Sequence, residues 1–422
     1  MTLYRHRHNR DNDRGQITVL LAVSLTLLLL FVALAIDVGL AYVTKAKLSK
    51  AVDAACLTAM RNLAQGHTAA GNLAVNSFNA NYHVSGLDVN TPAITVGFST
   101  DAYGQTLVNV SATATIRTFF MRLLPKYQSF SVSDSAQATR GKLVMTLVLD
   151  RSGSMKNNGG SKALPPAVTS FINYFDNNND EVAMVSFASN ATIDVPIGYQ
   201  FITPITNAVK AMNANGGTFG LGGLVDAKAQ NESVSIPPGQ NAVKVAVYFT
   251  DGYVNTIQDT FSCTSKWGKT LYNYGGYDSG SSVDFFDPSS GTDWGGLDTQ
   301  GYPPHSPSPD CTGVTKFTSA INGNAMSFTR SNVTADAQYR ALQTANAMRA
   351  EGMVVYSIGL GTSIDQAFLQ QIANDPASAS YNPSQPEGLA VFAPNCPSTQ
   401  CSDELLQVFQ TIAAKILLRL TQ

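Results

Sequence analysis

Residues 147–155 read LVLDRSGSM: an apolar run ends in Asp150, and hydroxyls follow at Ser152 and Ser154 with Gly153 between them. Two hydroxyls at alternate positions of a turning backbone can be aimed at one centre, beside the Asp150 carboxylate. A second stretch, NANGGTFGLGG (213–223), presents Thr218 directly after two glycines. A third, FTDG (249–252), ends another apolar run in Asp251. Asp150, Ser152, Ser154, Thr218 and Asp251 are all hard oxygen donors. They suit a divalent cation, first Mg²⁺ and then Mn²⁺ or Ca²⁺, which takes about six oxygens and commonly keeps several waters. With so few direct carboxylates the ion stays electrophilic and can accept an acidic side chain from a protein partner. The pattern therefore reads as a docking site and not as an enzyme. A serine nucleophile needs an adjacent base. Of the five histidines, His6, His8, His67 and His83 lie in or near the N-terminal part, and His305 sits in a PPHSPSP loop. No GxSxG turn surrounds either serine.

These residues need rigid elements behind them. KLVMTLVLD (142–150), EVAMVSFAS (181–189), AVKVAVYFTDG (242–252) and MVVYSIGLG (353–361) are near-continuous apolar runs, the mark of strands buried on both faces of a parallel sheet. Helical spacing lies between them at 161–176, 204–213, 219–231 and 334–350. Alternating strands and helices predict a doubly wound α/β domain. Such domains bind ligands at the carboxyl ends of their strands, which is where the donors fall.

The ordered set DxSxS…T…D, over about 142–375, resembles the von Willebrand factor A (VWA) domain. The resemblance implies a Rossmann-like, mostly parallel sheet and assigns the five donors to a metal-ion-dependent adhesion site. The chain departs from the plain domain in a long insertion at 257–332. It holds Trp267, Trp294 and seven aspartates but no glutamate. Springing from the strand that carries Asp251, it is expected to overhang the metal face, either shaping the partner site or decorating the surface. Asp284 and Asp287 read as solvated loop residues.

Residues 17–36, ITVLLAVSLTLLLLFVALAI, carry no charge and are about long enough to cross a bilayer as a helix. Arg5, Arg7, Arg10 and Arg14 precede them and Lys45, Lys47 and Lys50 follow, a small bias toward a cytoplasmic N-terminus. A signal peptide is the rival reading, with Ala33-Leu34-Ala35 as its cleavage site. The apolar run is long for that, and helical spacing continues from Val38 to Ala59, so one retained helix is expected. After a looser stretch from Gly66 to residue 82, AITVGFS (93–99), TLVNVSATATI (106–116) and FSVSDSAQATR (130–140) alternate like strands, with FFMRLLP (119–125) as a short turn or helix. RGQITVLLAVSL, KLSKAVDAACLTAM and the VNVSATATIRTFFMRLLP…VSDSAQATR ending resemble TadE/TadG-like proteins, pilin-related components of bacterial tight-adherence (Flp) pilus machinery.

The domain order read from this is a cytoplasmic flank at 1–16, a transmembrane helix at 17–36, a pilin-related α+β module at 37–140 and the VWA domain at 141–422. The resemblance to VWA-bearing TadG-like proteins implies that the closing helix (DELLQVFQTIAAKI) and a strand (LLRLT) complete the sheet. Net charge is −2 and only 13% of residues are charged, so nothing favours nucleic acid. Cys263, Cys311, Cys396 and Cys401 lie in polar stretches with no metal-type CxxC spacing. In an oxidising compartment they can form two bridges, and pairing Cys263 with Cys311 and Cys396 with Cys401 keeps each bridge local. Cys56 reads as a small packed residue.

The expected location is the bacterial inner membrane, crossed once, with the bulk of the chain periplasmic or extracellular. Two functions compete. One is an adhesion or assembly factor that docks a partner carboxylate through the cation, its partners being other Tad/Flp pilus or envelope components. The other is a structural minor-pilin-like protein whose metal only stabilises the fold.

Overall fold

A computed structural model describes residues 11–84, 88–102, 104–123, 125–265, 270–279, 285–286, 288, 311–312, 316–398 and 400–420. The chain forms two compact units, Met1–Thr139 and Arg140–Gln422.

In the first unit, α1 (Asp11–Arg61) is one continuous helix. Its apolar segment 17–36 is buried nowhere inside the unit. That segment is long and apolar enough to cross a membrane, about 30 Å at 1.5 Å per residue. Further along, Leu48, Val52, Ala55 and Ala59 form one buried stripe at helical spacing. Next come α2 (His67–Asn81), β1 (Ala93–Thr100), β2 (Thr106–Arg117) and β3 (Ser129–Thr139). The strands form an antiparallel sheet in the order β1-β2-β3. Val108, Val110, Ala112 and Ala114 of β2 point inward and pack on the α1 stripe together with Phe78 of α2. The loose stretch after Gly66 is thus a helix. Its buried positions, Ala70, Ala74 and Phe78, keep a strict four-residue spacing, but two of the three are alanines among polar residues, so the periodicity is faint. Cys56 is buried and unbridged, as expected. His67 stacks on Phe98 with ring centroids 4.6 Å apart.

The second unit begins with β4 (Lys142–Asp150), α3 (Ser154–Asn157), α4 (Gly160–Ile172), β5 (Glu181–Phe187) and β6 (Ala191–Val195). It continues through α5 (Ile202–Ala211), α6 (Gly220–Ser233) and β7 (Ala242–Thr250). Within the insertion lie β8 (Thr256–Ser265), β9 (Thr270–Asp278), β10 (Phe285–Phe286), β11 (Cys311–Thr312), β12 (Lys316–Thr318) and β13 (Ala325–Ser327). The chain closes with α7 (Arg330–Ala350), β14 (Val354–Leu360), α8 (Gln366–Ala373), β15 (Ala390–Ala393) and α9 (Cys401–Leu420).

The main sheet runs β15-β14-β7-β4-β5-β6. Every neighbour pair is parallel except β5 and β6. The central strand shows why its sequence is apolar throughout. Leu143, Met145, Leu147 and Leu149 enter one core with α4, α5 and α9, while Val148 enters the opposite core with α6, α7 and α8. Thr146, on that second face, donates to buried Asn231 of α6 at 2.8 Å. Both faces are covered, so alternation disappears.

The predicted closing strand is not one. LLRL continues α9 to Leu420, with Leu405, Phe409, Ile412, Ile416 and Leu420 buried at helical spacing. Phe409 meets Phe171 of α4 edge-on at 5.2 Å. The edge strand is β15 instead, paired with β14. At four residues it is too short to show a period.

The insertion opens as a hairpin, with β8 and β9 paired from Thr256↔Asp278 to Thr264↔Thr270. Trp267, Trp294, His305, Asp284 and Asp287 lie outside the described residues, as do His6 and His8. Cys263 and Cys311 fall on β8 and β11, which pair with Cys311 opposite Ser265; their side chains are outside the described residues. Cys396 and Cys401 are bridged. A bridge closing so short a loop removes about 2 kcal/mol of unfolded-state entropy. Replacing both cysteines by alanine is therefore expected to lower the melting temperature by about 4–8 °C, read by thermal unfolding with and without reductant.

Candidate metal centre

Asp150 is the last residue of β4, and Asp251 follows the last residue of the adjacent strand β7. Parallel pairing therefore delivers both carboxylates to the carboxyl end of the same sheet, and both are fully buried. Thr250 Oγ1 donates to Asp150 Oδ2 at 2.6 Å, and the Ser152 backbone N–H donates to Asp150 Oδ1 at 2.7 Å. Ser154 Oγ donates to Asp251 Oδ1 at 2.6 Å, and Asn158 Nδ2 donates to Asp251 Oδ2 at 2.9 Å. The Ser152 and Ser154 hydroxyls lie 3.0 Å apart. Four of the five predicted residues thus form one hydrogen-bonded cluster.

The fifth, Thr218, is carried to the same place by its loop. Gly153 N–H donates to the Gly216 carbonyl at 3.0 Å, and Asn215 N–H donates to the Arg151 carbonyl at 2.9 Å. These bonds tie the Thr218 loop to the DRSGS turn. Thr218, Ser154 and Asp251 line one cleft. The glycines before Thr218 are required. Gly216 has φ +84°, and a Cβ on Gly217 would lie 2.1 Å from Asp278 Oδ2 and 2.4 Å from Thr256 Oγ1. Gly217→Ala is expected to destabilise the unit by about 1–3 kcal/mol through overpacking, measured by denaturant unfolding.

Residues not singled out from the sequence support the site. Thr218 N–H donates to Asn255 Oδ1 at 2.7 Å and to Thr256 Oγ1 at 3.1 Å, and Asn255 N–H donates back to the Thr218 carbonyl at 3.2 Å. Ser279 N–H donates to the Asn255 carbonyl at 3.0 Å. The start of the insertion is therefore rooted on the Thr218 loop, and the far end of β9 is tied to it through Asn255. Of these residues only Thr250 had a visible signal, its place beside Asp251 in FTDG. Asn158, Asn255 and Thr256 matter through contacts that no spacing encodes.

The electrostatics fit a cation. Burial, and then the charge of Asp251, push the Asp150 carboxyl up to about 7. Burial likewise raises Asp251. No ion pair to either carboxylate occurs among the described residues. Two buried acids with no ion-pair partner among the described residues are costly unless a positive charge joins them. No group of three His, Cys, Asp or Glu gathers among the described residues; the donor set is two carboxylates plus hydroxyls. The cleft holds about 1030 Å³, and its opposite wall is the first turns of α7, with Arg330, Ser331 and Thr334.

A doubly wound sheet with DxSxS, Thr and Asp donors at its strand ends is the architecture of a von Willebrand factor type A domain, and residues 145–275 match the model of that family. Residues 15–62 match a second model, putative Flp pilus-assembly TadE/G-like. The chain therefore joins a TadE/G-like segment to a VWA domain. No curated protein matches it. Among solved structures it is similar to the pilus adhesin SpaC from Lactobacillus rhamnosus GG, at 14% identity and TM-score 0.42, covering 78% of this chain and 35% of that one. It is also similar to the vWF domain of the type V pili tip protein Mfa5 from Porphyromonas gingivalis, at 14% identity and TM-score 0.41, covering 68% and 98%. A third is proximal thread matrix protein 1 from the mussel byssus with a zinc-occupied MIDAS motif, at 15% identity and TM-score 0.36, covering 66% and 46%. The chain spans about a third to a half of the length of the first solved structures it matches.

Proposed function

We propose that this chain is a membrane-anchored, extracytoplasmic component of Flp/Tad-type pilus assembly or surface adhesion that docks a partner protein through a divalent cation. Asp150, Ser152, Ser154, Thr218 and Asp251 hold the cation, Mg²⁺ first and Mn²⁺ or Ca²⁺ as substitutes. The observation that carries this reading is the pair of buried carboxylates, neither in an ion pair among the described residues, hydrogen-bonded through the Ser152–Ser154 turn to an open cleft that Ser154, Thr218 and Asp251 line. When bound, the cation supplies positive charge and an open coordination position for an acidic side chain. Asp150 and Asp251 neutralise it. Ser152 and Ser154, already turned toward one another, donate oxygens from one loop, and Thr218 does so from the next.

Binding, not catalysis, is the role these residues suit. Ser154 gives its hydrogen bond to the Asp251 carboxylate, itself one of the proposed cation donors, so hydroxyl and carboxylate are both assigned to the cation and not to a nucleophile and its base. Transmembrane segment 17–36 holds the chain in the inner membrane, with the N-terminus cytoplasmic and the VWA domain outside.

The test is docking by the full chain in detergent. Wild type immobilised in Mg²⁺ should retain pilus or envelope components and release them in chelator, and Asp150→Ala should retain none while melting as a folded protein. A second reading is favoured by the hydrogen bonds that already satisfy Asp150 and Asp251: a minor-pilin-like structural protein in which the metal only stabilises the fold. Under it, Asp150→Ala lowers the melting temperature and retains every component that wild type retains.

A further inference from the structure

We propose that the turn between β2 and β3, residues 118–123 and 125–127, is a second membrane contact that lies in the headgroup layer of the bilayer crossed by α1. The inference rests on the membrane-anchor reading of residues 17–36 and goes beyond it.

The turn is pinned to the helix at the membrane edge. Asp37 is the first residue after the uncharged segment and is only 1% exposed. Its Oδ1 accepts from the Phe119 N–H at 2.7 Å, and its Oδ2 accepts from the Phe120 and Met121 N–H groups at 3.1 and 2.7 Å. Three charge-assisted bonds satisfy the carboxylate where water thins out. They also fix the height of the turn on α1 at the end of the span. Thr118 closes the loop behind it, with its N–H on the Gln128 carbonyl at 3.1 Å and its hydroxyl on the Tyr127 carbonyl at 2.6 Å.

What the pinned turn presents outward is apolar and basic. Phe119, Phe120 and Tyr127 are exposed, and Leu123 is 82% exposed. Arg122 and Lys126 are exposed beside them, each about one ring's reach from an aromatic face, Phe119 and Tyr127 respectively, at 6.0 Å. No acidic residue occurs between Asp101 and Asp134. Aromatic and leucine side chains flanked by cations are what an interfacial segment needs, since the rings favour the headgroup level and the cations favour anionic lipid. One exposed leucine means little by itself; here Leu123 is grouped with three exposed aromatic rings and two cations, on a turn held where the bilayer ends. The occupant is therefore lipid, by continuity with the span and by charge.

The test uses the full chain in vesicles of phosphatidylglycerol mixed with phosphatidylcholine, and in phosphatidylcholine alone. An environment-sensitive fluorophore is placed by Leu123→Cys, by Leu28→Cys in mid-span, and by Ser99→Cys. Ser99 pairs with Leu107, at the end of the sheet opposite Arg117. Headgroup-proximal nitroxide lipids are expected to quench the Leu123 label at least twofold in the anionic vesicles and to leave the Ser99 label bright. Arg122→Glu/Lys126→Glu should abolish most of that quenching. An unquenched Leu28 label under deep nitroxide lipids overturns the anchor and the proposal together. A quenched Leu28 label with a water-exposed Leu123 label overturns the proposal alone. So does a Leu123 label that is shielded from water but untouched by lipid quenchers, which assigns the turn to a protein neighbour. Quenching that survives the double Glu variant overturns the role of the headgroup charge.

Discussion

Saturating Mg²⁺ is expected to raise the melting temperature of the wild-type chain by about 5–10 °C and to leave the Asp150→Ala/Asp251→Ala variant unmoved. A ligand at a hundred times its dissociation constant stabilises the folded state by about 2.7 kcal/mol, and for a domain of this size each kcal/mol is worth roughly 2–4 °C. The double variant loses both charged donors and keeps only hydroxyls, so calorimetry should show saturable one-site binding weakened at least 100-fold, to no measurable heat. The variant should still fold, because removing both members of a like-charged buried pair leaves no unpaired charge behind. Wild type that folds well and binds neither Mg²⁺, Mn²⁺ nor Ca²⁺ would sink the docking mechanism and leave the VWA fold without its metal chemistry.

The second large effect has the opposite sign. In chelator, Asp251→Asn is expected to stabilise the protein at pH 8 by on the order of 1 kcal/mol, although it removes one of the proposed donors. It relieves only the part of the Asp150 shift that comes from the Asp251 charge and not the larger part from burial. Asp150 carries the reason. Burial and the neighbouring Asp251 charge raise its carboxyl from 3.8 to about 7, and each unit is worth about 1.4 kcal/mol. A carboxyl whose folded pKa is raised opposes folding at pH above that folded value. The penalty is relieved as pH falls through about 7 and is gone below the unfolded value near 3.8. Cation-free wild type should therefore become more stable between pH 8 and pH 5, and Asp251→Asn should flatten that slope. With Mg²⁺ present the trend reverses, because protons then compete with the cation. Denaturant midpoints at pH 5.5 and pH 8, with and without chelator, separate the cases. A cation-free wild type that loses stability toward pH 5.5 would show that neither burial nor the Asp251 charge raises the Asp150 carboxyl in this fold.

Much of this architecture is legible before any coordinates. The runs ending at Asp150 and Asp251 are strands because nine-residue apolar stretches buried on both faces leave no other reading beside helices of 3.6 periodicity. A long uncharged stretch followed by helical spacing is one helix, and α1 is continuous across both. Elements with a weak signal were harder to read. The stripe of α2 is mostly alanine, β15 is four residues long, and the LLRLT ending is a strand only by the family resemblance, whereas burial of Ile412, Ile416 and Leu420 at helical spacing carries α9 through it.

Residue types along the chain already specify the donors and their order: two aspartates, two serines flanking Gly153, and a threonine behind paired glycines. Local chemistry decides these, since side-chain type and neighbouring backbone freedom are set residue by residue. Tertiary structure alone decided that the donors meet. The parallel register of β4 against β7 puts Asp150 beside Asp251, a hundred residues apart in the chain, and the bonds from Gly153 to Gly216 and from Thr218 to Asn255 bring in the third loop. Tertiary structure also fixed the charge state, because burial and the approach of a second carboxylate are properties of the packed site and of neither aspartate alone.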